Sequence, residues 1–233
     1  MNRYNKEIIE KIKGGLIVSC QALDTEPLYD PYIMAKMAYA ASLGGAVGIR
    51  ANTVIDIMAI KKTVDLPIIG IIKEIYDDSD VYITPTMKEV DELVSVGCEI
   101  IALDATNRLR PNRVSLVDFF KEVREKYPNQ LFMADTSCFD EGKLAEEIGF
   151  DLIGTTMAGY TSYTKGRTLP DLELIERYSS ELNSPVIAEG GIWSPDDLKN
   201  VYKHGAFSAV CGTAITRPMD ITKRFIKALE DVI

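Results

Sequence analysis

The chain has 233 residues, 46% of them hydrophobic, with 26 Lys plus Arg against 35 Asp plus Glu and a formal net charge of −9. An acidic balance opposes general attraction to a phosphate backbone or an anionic membrane, so neither nucleic acid nor a membrane surface is expected as a partner. No low-complexity tract or linker divides the chain, and one large core is affordable at this length, so a single domain over residues 1–233 is expected.

The N-terminal stretch MNRYNKEIIEKIKGG carries charges through its only apolar positions. No later stretch approaches the roughly 20 apolar residues of a membrane helix, so a cytoplasmic chain starting near Met1 is expected. Tyr4–Lys13 reads as a helix. Eight short apolar runs follow: Leu16–Gln21, Ala46–Arg50, Pro67–Lys73, Ile100–Asp104, Leu131–Asp135, Leu152–Thr155, Val186–Glu189 and Ser208–Gly212. Runs this short and rich in β-branched residues suit strands covered on both faces, as in a parallel sheet. Between them lie amphipathic segments such as Leu116, Phe119, Phe120 and Val123, or Ile221, Phe225, Ala228 and Leu229, whose spacing places apolar groups on one helical face. Pro31, Pro195 and Pro218 stand where first helical turns are expected, and Gly44, Gly97, Gly149 and Gly205 follow helix ends.

Eight such units predict a single-domain (β/α)8 barrel of the TIM type, with Tyr4–Lys13 as an extra N-terminal helix across its lower end. An open doubly wound sheet has the same alternation. Polar residues at many strand ends and glycines in the last two units favour the barrel.

In a closed barrel, alternate strands contribute to one interior layer. Gln21, Lys73, Asp135 and Glu189 end the first, third, fifth and seventh runs and are expected to meet at the mouth. Ser19, Ile71, Met133 and Ile187 would form the layer beneath, and Cys20, Ile72, Ala134 and Ala188 would face the helices. Lys73 and Glu189 are the candidate catalytic pair, with a simple ion pair closing the mouth as the bland alternative. To act as a base, Lys73 must be neutral, which requires its pKa to fall from about 10.4 towards 7–8 at a cost of about 3–5 kcal/mol. Arg50, placed at the end of the second strand, is either the cation that lowers it or a residue positioning an anionic substrate.

Segments 188–195 (AEGGIWSP) and 211–218 (CGTAITRP) follow the last two strands. Such loops frequently bind phosphate, and Gly190, Gly191, Gly212 and Thr213 fit that use, with Arg217 as a charged fork. The loop 155–171 carries Tyr163, Lys165 and Arg167 as candidate substrate contacts. His204 is the only histidine and lies in a helix tail, and Cys20, Cys98, Cys138 and Cys211 are scattered, so no metal site and no cofactor is expected. Asp104 reads as orienting support and Asp135 as a binder of sugar hydroxyls.

Taken in order, the segments SCQA, VGIRAN, PIIGIIK, ALDAT, ADTS, GTTMAGYT, AEGGI and GTAITRP resemble those of the bacterial N-acetylmannosamine-6-phosphate 2-epimerase family. The resemblance runs from about Gly15 to Pro218. It implies interconversion of N-acetylmannosamine 6-phosphate and N-acetylglucosamine 6-phosphate in sialic acid and amino-sugar catabolism. It further implies Lys73 and Glu189 as catalytic residues and Gln21, Arg50, Asp135 and Arg217 as substrate contacts. The chemistry expected is removal and return of the C2 proton, without metal or redox cofactor. A Schiff-base aldolase using Lys73, separable by borohydride trapping, and a sugar-phosphate sensor that binds without turnover are the competing readings. A homodimer is compatible with the sequence.

Overall fold

The computed structural model describes residues 2–230. Eight parallel strands close on themselves in chain order: β1 (Leu16–Cys20), β2 (Gly48–Asn52), β3 (Ile68–Ile71), β4 (Ile100–Asp104), β5 (Leu131–Asp135), β6 (Leu152–Gly154), β7 (Val186–Glu189) and β8 (Ser208–Cys211). β1 pairs with β8 as well as with β2, so no sheet edge remains open. The architecture is the (β/α)8 barrel, with helices packed outside.

A helix α1 (Arg3–Ile12) precedes the barrel. Its Ile8, Ile9 and Ile12 are buried in the same cluster as Ile17, Ile69, Ile100 and Leu131, which fill the lower interior. Asn2 caps it, and Asn5 Nδ2 donates to Asn129 O at 2.8 Å, fixing the helix across the floor. The outer ring is α2 (Pro31–Leu43), α3 (Val54–Lys61), α4 (Met87–Ser95), α5 (Leu116–Lys126), α6 (Phe139–Ile148), α7 (Leu172–Glu181) and α8 (Pro195–Lys203). Two further helices, α9 (Thr213–Thr216) and α10 (Pro218–Glu230), follow β8.

Strand alternation divides the core in two. Ile71, Met133, Ile187 and Val210 point into the barrel. Val18, Cys20, Ile72, Ala134 and Ala188 point out against α2 to α8. Where a helix crosses very close, glycine is required: a Cβ on Gly142 of α6 would stand 2.4 Å from the Tyr178 ring.

Two expectations are corrected. β2 runs two residues later than its apolar run suggests, because Asn52 pairs with Ile71 of β3. Arg50 is therefore mid-strand and points into the barrel, whereas the sequence placed it at a strand end. The apolar spacing in Ile221–Leu229 does form a helix, yet no residue of α10 is buried, and Phe225, Ile226 and Leu229 are exposed. That apolar face does not pack on this chain's core.

Since α1 closes the lower end through fully buried Ile12, Ile12→Ala should lower stability by about 2–5 kcal/mol, read from the urea unfolding midpoint. An unchanged midpoint would mean that α1 does not contribute to the core.

Candidate active site

The strands end at a cavity of about 370 Å³ in the mouth of the barrel. Gln21, Arg50, Lys73 and Glu189 line it together with Ser19, Tyr82, Thr156 and Trp193. Inward alternation carries Gln21 and Lys73 to the rim just beyond β1 and β3. Lys73 is held there by its backbone, its N–H donating to Asn52 Oδ1 at 2.9 Å while the residue bridges antiparallel to Ile83. The loop after β3 thus folds back over the mouth and delivers Tyr82.

Arg50 organises the centre. Its Nη2 lies 2.6 Å from Asp135 Oδ2, its Nη1 3.0 Å from Oδ1, and Nη1 also lies 2.8 Å from Glu189 Oε2. Thr156 Oγ1 donates to Asp135 Oδ1 at 2.6 Å and stands 3.2 Å from Glu189 Oε2. Asp135 has no solvent exposure and sits behind Arg50, whereas the Glu189 side chain keeps 15% and reaches the cavity. Burial by itself would lower the pKa of Arg50, but Asp135 and then Glu189 outweigh it, so the guanidinium stays charged.

The two candidate proton-transfer groups are shifted towards each other. Burial, then Arg50 and Arg217, push the Lys73 amine down to about 8, against Glu189 and Glu26. Burial, then the Asp135 charge, push the Glu189 carboxyl up to about 7, against Arg50, Thr156 and Lys73. At pH 7.5 an amine with a pKa of 8 is roughly one quarter neutral. Glu189 takes Arg50 as its ion-pair partner, so a Lys73–Glu189 bridge does not close the mouth.

Gly190, Gly191, Gly212, Thr213 and Arg217 line the β7–β8 side of the same cavity. Gly191 sits at φ 73°, and a Cβ there would come within 2.3 Å of Leu169, so the backbone can take this path only without a side chain. Arg217 Nη1 lies 3.2 Å from Glu26 Oε1 and 3.9 Å from Asp220 Oδ2. At their closest approach both carboxylates meet the same nitrogen.

Tyr163, Lys165 and Arg167 are not brought to this cavity. The Tyr163 hydroxyl donates to Glu141, Lys165 is exposed, and Arg167 Nη1 pairs with Asp171 at 3.0 Å. Tyr160, from the same loop, does line the cavity. Asp104 is buried and held by Arg108 at 2.5 Å and by Thr106, away from the cavity lining. Among the described residues no three His, Cys, Asp or Glu gather as a metal ligand set, and His204 Nδ1 lies 2.8 Å from Asn200 O. Sequence reasoning missed Tyr82, Thr156 and Glu26. Thr156 had a signal, since it follows the sixth strand directly; Tyr82 and Glu26 lie in aperiodic loops and had none.

A family model described as "Putative N-acetylmannosamine-6-phosphate epimerase" matches residues 34–231. Relatives described as "Putative N-acetylmannosamine-6-phosphate 2-epimerase" include one from Clostridioides difficile, 56% identical over 96% of this chain and 99% of its own length. Another, from Caldanaerobacter subterraneus, is 52% identical over 97% of this chain and 95% of its own. The solved N-acetylmannosamine-6-phosphate 2-epimerase of Clostridium perfringens superimposes with a TM-score of 0.90 at 52% identity, covering 94% of this chain and 95% of that one. A thiamine phosphate pyrophosphorylase from Pyrococcus furiosus, at TM-score 0.61 and 18% identity over 97% of this chain and 98% of that one, shares the fold alone.

The depressed Lys73 amine gives a direct measurement. An amine reacts with acylating reagents only when neutral, so acetylation of Lys73, followed by mass spectrometry of its peptide, should rise with a midpoint near pH 8. A midpoint near 10.5 would show that burial and the two arginines do not act on it.

Proposed function

The chain belongs to the N-acetylmannosamine-6-phosphate epimerase family, and on that premise we propose that it interconverts N-acetylmannosamine 6-phosphate and N-acetylglucosamine 6-phosphate. The step would serve cytoplasmic sialic acid and amino-sugar catabolism. The observation that carries the reading is the placement of Lys73 and Glu189 on one cavity from β3 and β7, four strands apart, with the amine shifted down and the carboxyl up. Inversion at one carbon needs a proton removed on one face and supplied on the other. Groups titrating near neutrality suit both halves of that task.

Lys73 is the base that takes the C2 proton. Glu189 returns a proton or holds the acetamido group while it moves. Arg50, Asp135 and Thr156 keep Glu189 in place, so Asp135 acts on substrate through Arg50. Gln21 contributes its side chain to the cavity wall as a substrate contact. Its Nε2 donates to Ser19 Oγ at 2.8 Å, which fixes the amide at the wall, and its buried Oε1 has no partner among the described residues. Gly190, Gly191, Gly212, Thr213 and Arg217 take the phosphate. Contact by Tyr163, Lys165 and Arg167 requires the 155–171 loop to move. Epimerisation removes and returns one proton with no net oxidation, so no redox cofactor is called for, and the amine and carboxyl can carry the transfer without a metal.

A homodimer is supported by α10. Phe225, Ile226 and Leu229 lie exposed, and a groove lined by Met37, Ala40, Ala41 and Ile215 lies between α2 and α9. A second copy supplies matching apolar surface at both ends of such a contact. Sedimentation should give twice the 25.9 kDa chain mass. A monomer at micromolar concentration would remove this reading.

Incubation of N-acetylmannosamine 6-phosphate with the enzyme in D2O should yield N-acetylglucosamine 6-phosphate deuterated at C2, seen by NMR, and exhaustive EDTA dialysis should leave the rate unchanged. Lys73→Ala and Glu189→Ala should each slow turnover by about 100-fold or more. Deuterium only at C1 or C3, or near-normal turnover in Lys73→Ala, would refute the chemistry. Activity lost to EDTA and restored by a divalent ion would replace it with a metal-assisted route.

A further inference from the structure

The glycines and Arg217 occupy the β7–β8 side of the mouth, and the opposite side lies around the end of β3. There the cavity wall changes character. Ile71, Ile83 and Met157 are each at most 3% exposed and present apolar surface, and Tyr82 brings a hydroxyl to it, with Tyr160 nearby. This hydroxyl has a sulfur as its contact, Met157 Sδ at 3.8 Å, and makes no hydrogen bond to a protein oxygen or nitrogen among the described residues. Buried polar groups are usually satisfied, so a donor left facing a cavity marks a place where a ligand acceptor belongs. Burial, then the Asp104 charge, push the phenol up to about 12, so it remains a donor across the working pH range.

The backbone fixes Tyr82 beside the reacting centre. Glu74 N donates to Tyr82 O at 3.0 Å, and Lys73 bridges Ile83 on the next rung. A sugar anchored by its phosphate across the barrel, with C2 at Lys73, must hold its C2 nitrogen one bond from the carbon that faces that amine. An N-acyl group has one strong acceptor and a small apolar end, which are the two features this wall can match.

We propose that Tyr82, with Ile83 and Met157, forms the N-acyl subsite, the phenol donating to the amide carbonyl while the two apolar side chains enclose the methyl group. The assignment rests on the sugar-phosphate reading above and adds the residue that selects the acylated sugar. Tyr82 touches substrate without taking part in proton transfer, so it governs specificity.

Tyr82→Phe removes only the oxygen and keeps the ring packing. Calorimetric binding to wild type and variant, using N-acetylmannosamine 6-phosphate, mannosamine 6-phosphate and inorganic phosphate, separates the possibilities. The variant should bind the acetylated sugar about tenfold more weakly, the loss of one hydrogen bond to a neutral group. It should bind mannosamine 6-phosphate and inorganic phosphate as wild type does, with an unchanged melting temperature. An equal loss for both sugars, or no loss for either, would overturn the assignment. Wild-type protein that binds the acetylated sugar with Tyr82-dependent affinity but does not epimerise it would remove the proposed activity and leave the subsite standing.

Discussion

The mouth of this barrel depends on one buried guanidinium. Arg50 is 1% exposed and lies between Asp135, which has no exposure, and Glu189. Two carboxylates a few ångströms apart in a poorly solvated site cannot both ionise at low cost. Arg50 meets both: it grips Asp135 through Nη1 and Nη2, and its remaining reach falls on Glu189 through the same Nη1. One cation offsets about one anion. Glu189 keeps its reach to the cavity, and burial and then the Asp135 charge push its carboxyl up to about 7, against Arg50. A buried ion pair of this kind adds little net stability. Its use is geometric: Asp135 is locked behind Arg50, and Glu189 is held at the cavity.

Much of this was legible because β-strands alternate. Once the eight apolar runs are accepted as barrel strands, Gln21, Lys73, Asp135 and Glu189 share parity with Ile71, Met133 and Ile187, and the interior cluster holds those apolar residues. The glycines near the last two strands were legible for a different reason, since Gly191 has no room for a Cβ. The partner of Glu189 was not legible. The sequence placed both Lys73 and Arg50 at strand ends and paired Glu189 with Lys73, whereas Arg50 is mid-strand and reaches across the barrel, a distance that no local pattern encodes.

The loops limited the reading further. Residues 155–171 are rich in Tyr, Lys and Arg, which looks like a binding loop, yet Tyr163 and Arg167 spend their polar groups on Glu141 and Asp171 within the protein. Tyr82 sits in a segment without apolar periodicity and reaches the cavity through the antiparallel bridge of Lys73 to Ile83. Composition identifies polar groups in a loop; only the backbone path decides whether they face a ligand. The α10 face is the converse case. Its amphipathic spacing identified a helix correctly, but spacing states only that an apolar face will be covered and leaves open by which chain.

The charges around Lys73 also give the Arg217 side of the mouth a bearing on the amine. Arg217 lowers the Lys73 pKa and Glu26 opposes it, so both are felt at the amine although they belong to the β1 and β8 sides of the mouth. With no anion bound, burial, Arg50 and Arg217 keep roughly one quarter of the amine neutral at pH 7.5. A phosphate seated on Arg217 would cancel part of that positive field and add negative charge, which raises the affinity of the amine for a proton. On the proposed reading, Lys73 meets its substrate in the neutral form and becomes a stronger base once the phosphate is in place. Binding energy from the remote end of the sugar would then act at C2, favouring proton removal only after the complete substrate has docked.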